Sequence, residues 1–372
     1  MEALKLSPSL EVREINDRAS FVALEGEWNA LVVRAGNEPF YRHEFIRVWI
    51  DNFAPQARLR VLIVRDGEGR LTAVLPLMEE RTYLYGVPVR QLVSTANVHS
   101  CRFDLVADDG EAASAAIFGY LAADKTWDLL RIIDVPEGGK ALGLLEQARR
   151  AGFPTGTYAS IQSPYVPLNA NWEEQQGTLQ TKFKANVRRR RKKLEEKGQV
   201  TFERVESGKD LEARLDEGYA LEASGWKGQQ GTAIALDKAT RGFYSELART
   251  EAYQGNLTLY FMRVDGRAVG FHYGLTYDQR YFLLKPGYDE ALRECSPGQL
   301  LMEEVLKECV ERKLREFDFL GPDMTWKRDW TDRVRMHTWL FVFRNDRLGR
   351  ALCSAKFKWV PAAREVMASW KK

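Results

Sequence analysis

Cysteine, histidine and long apolar runs are all scarce in this chain of 372 residues. Its four cysteines, Cys101, Cys295, Cys309 and Cys353, stand far apart with no CxxC pair. The spacing that holds structural zinc is therefore missing, and reduced thiols in a cytoplasm are the expectation. No apolar stretch approaches the roughly 20 residues that span a bilayer, and MEALKLSPSLEVREI carries no apolar signal core. The expected location is cytoplasmic, or peripheral at the inner membrane face where basic side chains meet anionic lipid. A Walker loop, a nucleophile elbow, a Ser/His/Asp spacing and a metal-ligand cluster are all missing too, which disfavours covalent and metal catalysis. Formal net charge is only +3, so overall charge names no partner.

What is present is ordinary globular material: 45% hydrophobic and 29% charged residues, in a chain long enough for two domains. Two segments share one grammar. VLIVRDGEGRLTAVLPL and LTLYFMRVDGRAVGFHYGLT each place a DG turn between two apolar strands, and each follows two helical patterns. The first half continues with strands and helices alternating up to about Ile161. The fold expected is α/β (α+β), with the same order of elements used twice: an N-terminal domain over 1–168, a basic helical linker or arm over 169–205, and a C-terminal domain over 206–372.

Within the linker, LQTKFKANVRRRRKKLEEKGQV crowds nine cations from Lys182 to Lys197 around a thin apolar stripe of Phe183, Val187 and Leu194. Such a helix is either a solvated bridge whose charge is answered by nearby acids or an arm for the phosphates of tRNA, a nucleotide cofactor or an anionic membrane.

The stretch from Tyr281 to Lys327 is the most informative. An apolar strand gives way to Lys285-Pro286-Gly287-Tyr288-Asp289, and then Ser296-Pro297-Gly298-Gln299-Leu300-Leu301 opens a helix. Ser296 is a good N-cap, Pro297 suits the first helical position, and Gln299 stands where a capping box wants Glu or Gln. A helix start beside a strand end is either well-capped scaffold or a seat for a pyrophosphate, with the N–H groups of Gly298 to Leu301 facing the phosphates. Candidate catalytic residues are Asp289 and His272 as general bases, Glu222 at the end of a helix, and Lys327 for a developing oxyanion. Trp226 and Lys227, in the Gly-rich loop after Glu222, are expected with Tyr288 and His99 on the substrate side, and Trp226, Lys227, Asp289 and His272 are expected to line one cleft.

KFKANVRRRRKKLEEKG, EASGWKGQQGTAI, KPGYDEALRECSPGQLLMEE and FDFLGPDMTWKRDW occur in that order over roughly residues 165–345, and this part of the chain resembles the GNAT superfamily. The branch it is similar to has tandem domains, and includes FemAB-like proteins and exopolysaccharide-associated acetyltransferases. FYRHEFIRVWIDNF, AVLPLMEE and WDLLRIIDV look like the degenerate N-terminal domain of the same proteins. The resemblance implies two GNAT-like domains and direct transfer of an acyl group from acyl-CoA, without a metal, to an amine. That amine would be a cell-envelope sugar or a long-chain lipid amine such as a sphingoid base, and the protein a monomer or dimer. The SPGQLL loop has one glycine where many GNAT enzymes have Q/R-x-x-G-x-G/A, so aminoacyl-tRNA, the donor of FemABX-type relatives, stays open beside acyl-CoA. A non-catalytic binding module on the same fold is the remaining alternative.

Overall fold

The computed structural model describes residues 10–225, 231 and 233–362. The chain divides into two compact units, one taking in residues up to Ile50, Ala54–Ile161 and Met336 onward, the other Asp51–Phe53 and Gln162–Arg335.

In the first unit the described elements run β1 (Glu11–Ile15), α1 (Arg18–Ala23), α2 (Glu25–Ala35), α3 (His43–Phe53), β2 (Arg58–Arg65), β3 (Leu71–Leu84), β4 (Val87–Ser94), β5 (Val106–Ala107), α4 (Gly110–Ala123), β6 (Leu129–Pro136), α5 (Leu142–Arg150) and β7 (Thr155–Pro167). The sheet order is β1-β2-β3-β4-β6-β13, where β13 is Val334–Phe343, and β5 is a short addition on β3. All pairings are antiparallel except β4 with β6, which are parallel at three positions, Gln91↔Leu129 to Val93↔Arg131. Ile117, Phe118 and Leu121 of α4 and Leu144, Leu145 and Ala148 of α5 bury one face of this sheet together with Leu130, Ile132, Leu340 and Val342. Because side chains alternate along a strand, Phe341 and Phe343 fall on the other face. There α12 (Arg347–Ser354) and the turn after it cover them with Leu352 and Phe357.

The second unit contains α6 (Trp172–Gly177), α7 (Thr181–Glu195), β8 (Val200–Val205), α8 (Leu211–Ser224), α9 (Lys238–Tyr253), β9 (Leu257–Val264), β10 (Arg267–Tyr277), β11 (Arg280–Tyr288), α10 (Pro297–Glu311), β12 (Glu316–Asp318) and α11 (Thr325–Arg328). Its order, β8-β9-β10-β11-β12-β7, repeats the first unit's, again with one parallel step, β11 with β12. β9 and β10 are buried on both faces, which is why they read as continuous apolar runs. The hairpin between them turns at Asp265 and Gly266, both with positive φ (49° and 81°) as the two-residue turn requires. α10 covers one face with Leu300, Leu301, Val305 and Leu306. α8 and α9 cover the other: a Cβ on Gly218 would lie 2.4 Å from the Phe271 ring, and the Tyr273 hydroxyl donates to the Tyr244 carbonyl at 2.8 Å.

The fold is therefore the expected pair of mixed α/β units, but the expected boundaries need correction. The division falls at 161/162, not at 168/169, and residues 169–205 are not a linker. Val187 and Leu194 of α7 belong to the second unit's core, and Arg191 pairs with Glu303 and Glu304 of α10, each at 2.7 Å. Met336 onward returns to the first unit, because Leu340 and Val342 complete its core. A reading that places boundaries where composition changes cannot detect a strand that goes back to an earlier sheet.

If α7 is packed scaffold, Leu194→Ala should lower the stability of the second unit by about 2–5 kcal/mol. Arg188→Ala, on the exposed side, should stay within about 0.5 kcal/mol. Urea unfolding of the two variants checks this, and equal small losses would restore the solvated bridge.

Candidate functional site

β11 is irregular in two ways. Its register against β10 goes from Tyr273↔Lys285 to Gly274↔Leu283, so Leu284 is an extra residue and the strand bulges there. On its other side it pairs with β12 only from Arg280↔Glu316 to Phe282↔Asp318. Among the described residues no strand continues that pairing, so the parallel ladder ends at Phe282 and Asp318 and the two strands diverge beyond it. After β12 the chain turns away through Leu320 and Gly321, at φ 50° and 56°.

The segment after β11 leads to α10, and its geometry corrects the expected capping box. Ser296 lies in the left-handed region (φ 49°) and makes no side-chain cap; its hydroxyl donates to the Arg293 carbonyl at 3.3 Å. The Ser296 carbonyl accepts from the N–H groups of Gln299 (3.0 Å) and Leu300 (3.2 Å), so these two are not open to phosphate as expected. Gln299 instead accepts from the Trp330 indole at 2.6 Å. The side chains of Pro297, Leu300 and Leu301 are buried. Pro297 has no N–H, so among the described residues Gly298 is the donor that the first turn leaves without a backbone acceptor. A Cβ on Gly298 would come within 3.3 Å of the Tyr288 ring, so these two predicted residues do meet.

α4 occupies the same place in the first unit, and its start differs. Asp109 accepts from the N–H groups of Glu111 and Ala112, each at 3.0 Å. The helix end is thus filled by the chain's own carboxylate, whereas α10 carries no side-chain cap.

The other predicted residues separate into groups. Glu222, in the last turn of α8, is buried and accepts from the Ile234 N–H at 2.8 Å. Its backbone abuts β11, since a Cβ on Gly287 would lie 2.9 Å from the Glu222 Cα. Asp289 is not available as a base: its carboxylate caps the next turn through the Ala291 N–H (2.9 Å) and receives the Arg267 guanidinium at 2.6 Å. Lys327 does not point to an oxyanion, because its ammonium donates to the carbonyls of Leu320 (2.5 Å) and Pro322 (2.8 Å). His272 is buried in β10 opposite Pro286. It shares strand parity with Gly270, whose Cβ would meet Leu301, so it lies on the α10 face, away from Glu222. His99 belongs to the first unit, in a turn where its N–H donates to Asn97 Oδ1 at 2.9 Å. Trp226 and Lys227, and with them the expected cleft, lie outside the described residues. Burial pushes the Cys309 thiol far above its ordinary pKa, which removes it as a nucleophile.

Sequence reasoning missed two charged groups beside the opening. Lys285 follows the bulge and pairs with Tyr273, and its ammonium lies 5.4 Å from the Tyr244 ring centroid, on the face of α8 and α9. Asp318 ends β12 fully buried, accepting from the Leu320 N–H (2.8 Å) and pairing with Arg335 at 2.6 Å. The signal for both was a single charge inside an apolar strand, FLLKP and FDFLG, where an uncompensated charge is costly.

Residues 181–328 match a family model described as an acetyltransferase (GNAT) domain. Among solved structures, FemX is similar over 92% of this chain and 100% of its own, with TM-score 0.56 and 10% identity. The C-terminal domain of a putative lysylphosphatidylglycerol synthetase from Agrobacterium fabrum is similar over 90% and 96%, with TM-score 0.54 and 13% identity. L-PGS from Bacillus licheniformis is similar over 89% and 94%, with TM-score 0.51 and 12% identity. No curated protein matches in sequence.

The contrast between the two helix starts can be measured. Asp109→Ala should cost about 1 kcal/mol of stability, the usual loss of an N-cap. Ser296→Ala should cost less than about 0.5 kcal/mol, because its hydroxyl caps no N–H. Equal losses in urea unfolding would mean that Ser296 does cap α10.

Proposed function

We propose that the chain is a tandem-domain GNAT protein of the FemAB-like branch and that its second unit is an N-acyltransferase using acyl-CoA; the GNAT domain match over residues 181–328 and the likeness of fold to FemX support this. The acceptor in this reading is an amine, on a cell-envelope sugar or a long-chain lipid such as a sphingoid base. The observation that carries the reading is the α10 start: a helix N-terminus with no side-chain cap, opened by Gly298, beside a bulged strand whose partner has diverged. Phosphate oxygens of the donor would sit at the Gly298 N–H in the positive end of the helix dipole. The pantetheine would lie where β11 and β12 diverge, and a backbone N–H near the bulge would polarise the thioester carbonyl.

The amine nitrogen attacks that carbonyl carbon, the C–N bond forms, and the C–S bond breaks to release the CoA thiolate. Glu222, against Gly287 on the face of α8 and α9, is proposed to take the proton the amine loses. Lys285, on the same face, would offset negative charge on the tetrahedral intermediate. This replaces Asp289 and His272 as bases, since the first is held by Arg267 and the second faces α10.

A second reading, with aminoacyl-tRNA as donor, is favoured by one feature. Arg188, Arg189 and Lys192 of α7 are exposed, and the neighbouring Lys193 reaches Glu294, in the segment before α10, at 2.8 Å. A thermal-shift panel of CoA, acyl-CoAs of several lengths and aminoacyl-tRNA separates the two, because a ligand of the native state raises its melting temperature by mass action. Stabilisation by acyl-CoA is expected. Stabilisation by aminoacyl-tRNA alone, falling steeply with salt, would reject the acyl-CoA reading.

Kinetics divide the roles. Gly298→Val puts a branched side chain against Tyr288 and should raise the KM for acyl-CoA about tenfold or more, with kcat little changed. Glu222→Gln should lower kcat by about 10²- to 10⁴-fold while the acyl-CoA thermal shift persists. An unchanged KM in the first variant would move the donor away from α10.

A further inference from the structure

The first unit carries a surface that the acyl-transfer reading does not use. Residues 347–362, RLGRALCSAKFKWVPA, hold four cations, Arg347, Arg350, Lys356 and Lys358, and no acid. The β3–β4 hairpin tip, RTYLYGVPVR over 81–90, has Arg81 and Arg90 and likewise no acid. Both segments rest on one buried cluster of Val89, Leu129, Phe341, Phe343 and Leu352, to which the hairpin adds Leu84 and Val87 and the C-terminal segment adds Phe357. Beside it two large aromatics stand in solvent, Tyr85 at the hairpin tip (49% exposed) and Trp359 (60%).

Beside them is a pocket lined by Pro154, Thr155, Arg350, Cys353, Ser354, Phe357 and Lys358. The Arg350 guanidinium is anchored by Asn345 Oδ1 at 2.5 Å and the Gly152 carbonyl at 3.4 Å, while Lys358 is exposed. Nearby acids are already engaged: Glu80 with Arg131 (3.7 Å), Asp128 with Arg90 (3.2 Å), and Asp346 as the cap of α12.

We propose that this face of the first unit docks on an anionic lipid bilayer, with Tyr85 and Trp359 at headgroup level and Arg350 and Lys358 receiving lipid phosphate in the pocket. Amphipathic aromatic rings prefer the membrane–water boundary, and basic side chains whose neighbouring acids are already paired are drawn to anionic lipid. A single strand of nucleic acid asks instead for open rings along a continuous basic groove. Here the pocket's one ring, Phe357, is packed against Tyr158, Phe341 and Phe343.

The test is flotation of the full chain with phosphatidylcholine vesicles, with and without phosphatidylglycerol, at low and high salt. Binding should need phosphatidylglycerol and weaken with salt. Arg350→Gln and Lys358→Gln should each lower the partition about fivefold, whereas Arg350→Lys and Lys358→Arg keep most of it. Trp359→Ala should lower it at both salt concentrations, because an interfacial ring is not screened. All these residues are at the surface, so unchanged melting temperatures are expected and show that the variants fold. Equal or absent binding to both kinds of vesicle would overturn the proposal. So would binding lost in Arg188→Gln/Arg189→Gln on α7 yet kept in the Arg350 and Lys358 variants. Equally tight binding to RNA, insensitive to Trp359→Ala, would assign the surface to nucleic acid instead.

Discussion

The second unit depends on how little β11 and β12 share. Parallel strands joined through a helix normally zip along their length, but here three pairs form and the ladder stops at Phe282 and Asp318. Asp318 fixes the stop, since its carboxylate holds the Leu320 N–H and the Arg335 guanidinium and so turns the chain out of the sheet. The bulge at Leu284 acts on the same strand from the other side. With the strand pulled from both sides, β11 and β12 diverge beyond Phe282 and Asp318, and α10 follows the segment that leaves the end of β11. The energetic cost is carried elsewhere, by a continuous core of aromatic and aliphatic side chains under α10.

Two units with one topology make a controlled comparison of helix starts. In both, three parallel pairs precede or follow a helix across the sheet. In the first unit the dipole and the first N–H groups are answered by Asp109. A bound anion there would meet a carboxylate at hydrogen-bond distance, and the like charges would repel. In the second unit proline removes one N–H, the Ser296 carbonyl takes two more, and glycine leaves the fourth approachable. The same topology thus carries a helix start filled by its own carboxylate in one unit and one without a side-chain cap in the other.

Much of this was legible in the sequence, and the failures have a common cause. The two DG hairpins, the succession of elements and the position of α10 follow from local signals that the structure keeps. Ser296 and Gln299 have the identities of a capping box but not its geometry, because the preceding turn forces Ser296 to φ 49° and Trp330 offers the glutamine a partner 31 positions away. Asp289 looked like a free acid and is claimed by Arg267, a partner 22 positions back. Lys327, expected at a developing oxyanion, is buried against two carbonyls. For Gln299 and Asp289 the side chain's fate is decided by a group brought in by tertiary packing, and for Lys327 by the turn at Leu320 and Gly321 that aims two nearby carbonyls at it; periodicity and spacing encode neither.

The basic helix shows the same limit in electrostatic form. Read as a string, α7 is either a bridge or an arm, but its charges divide by the face they stand on. Arg191 lies on the packed face between Val187 and Leu194 and must be compensated there, which Glu303 and Glu304 do at 2.7 Å. Lys193 is tied to Glu294 in the segment leading to α10, so part of the helix's charge holds that segment in place. Arg188, Arg189 and Lys192 face solvent, where water screens them within about 10 Å at ordinary salt. A phosphate at the α10 start would feel the helix dipole and the Gly298 N–H directly, and these cations only if it lies inside that screening length. For a donor seated as proposed, contacts at the helix start would set how tightly it is held, and the exposed cations of α7 would act chiefly on how fast a polyanion arrives.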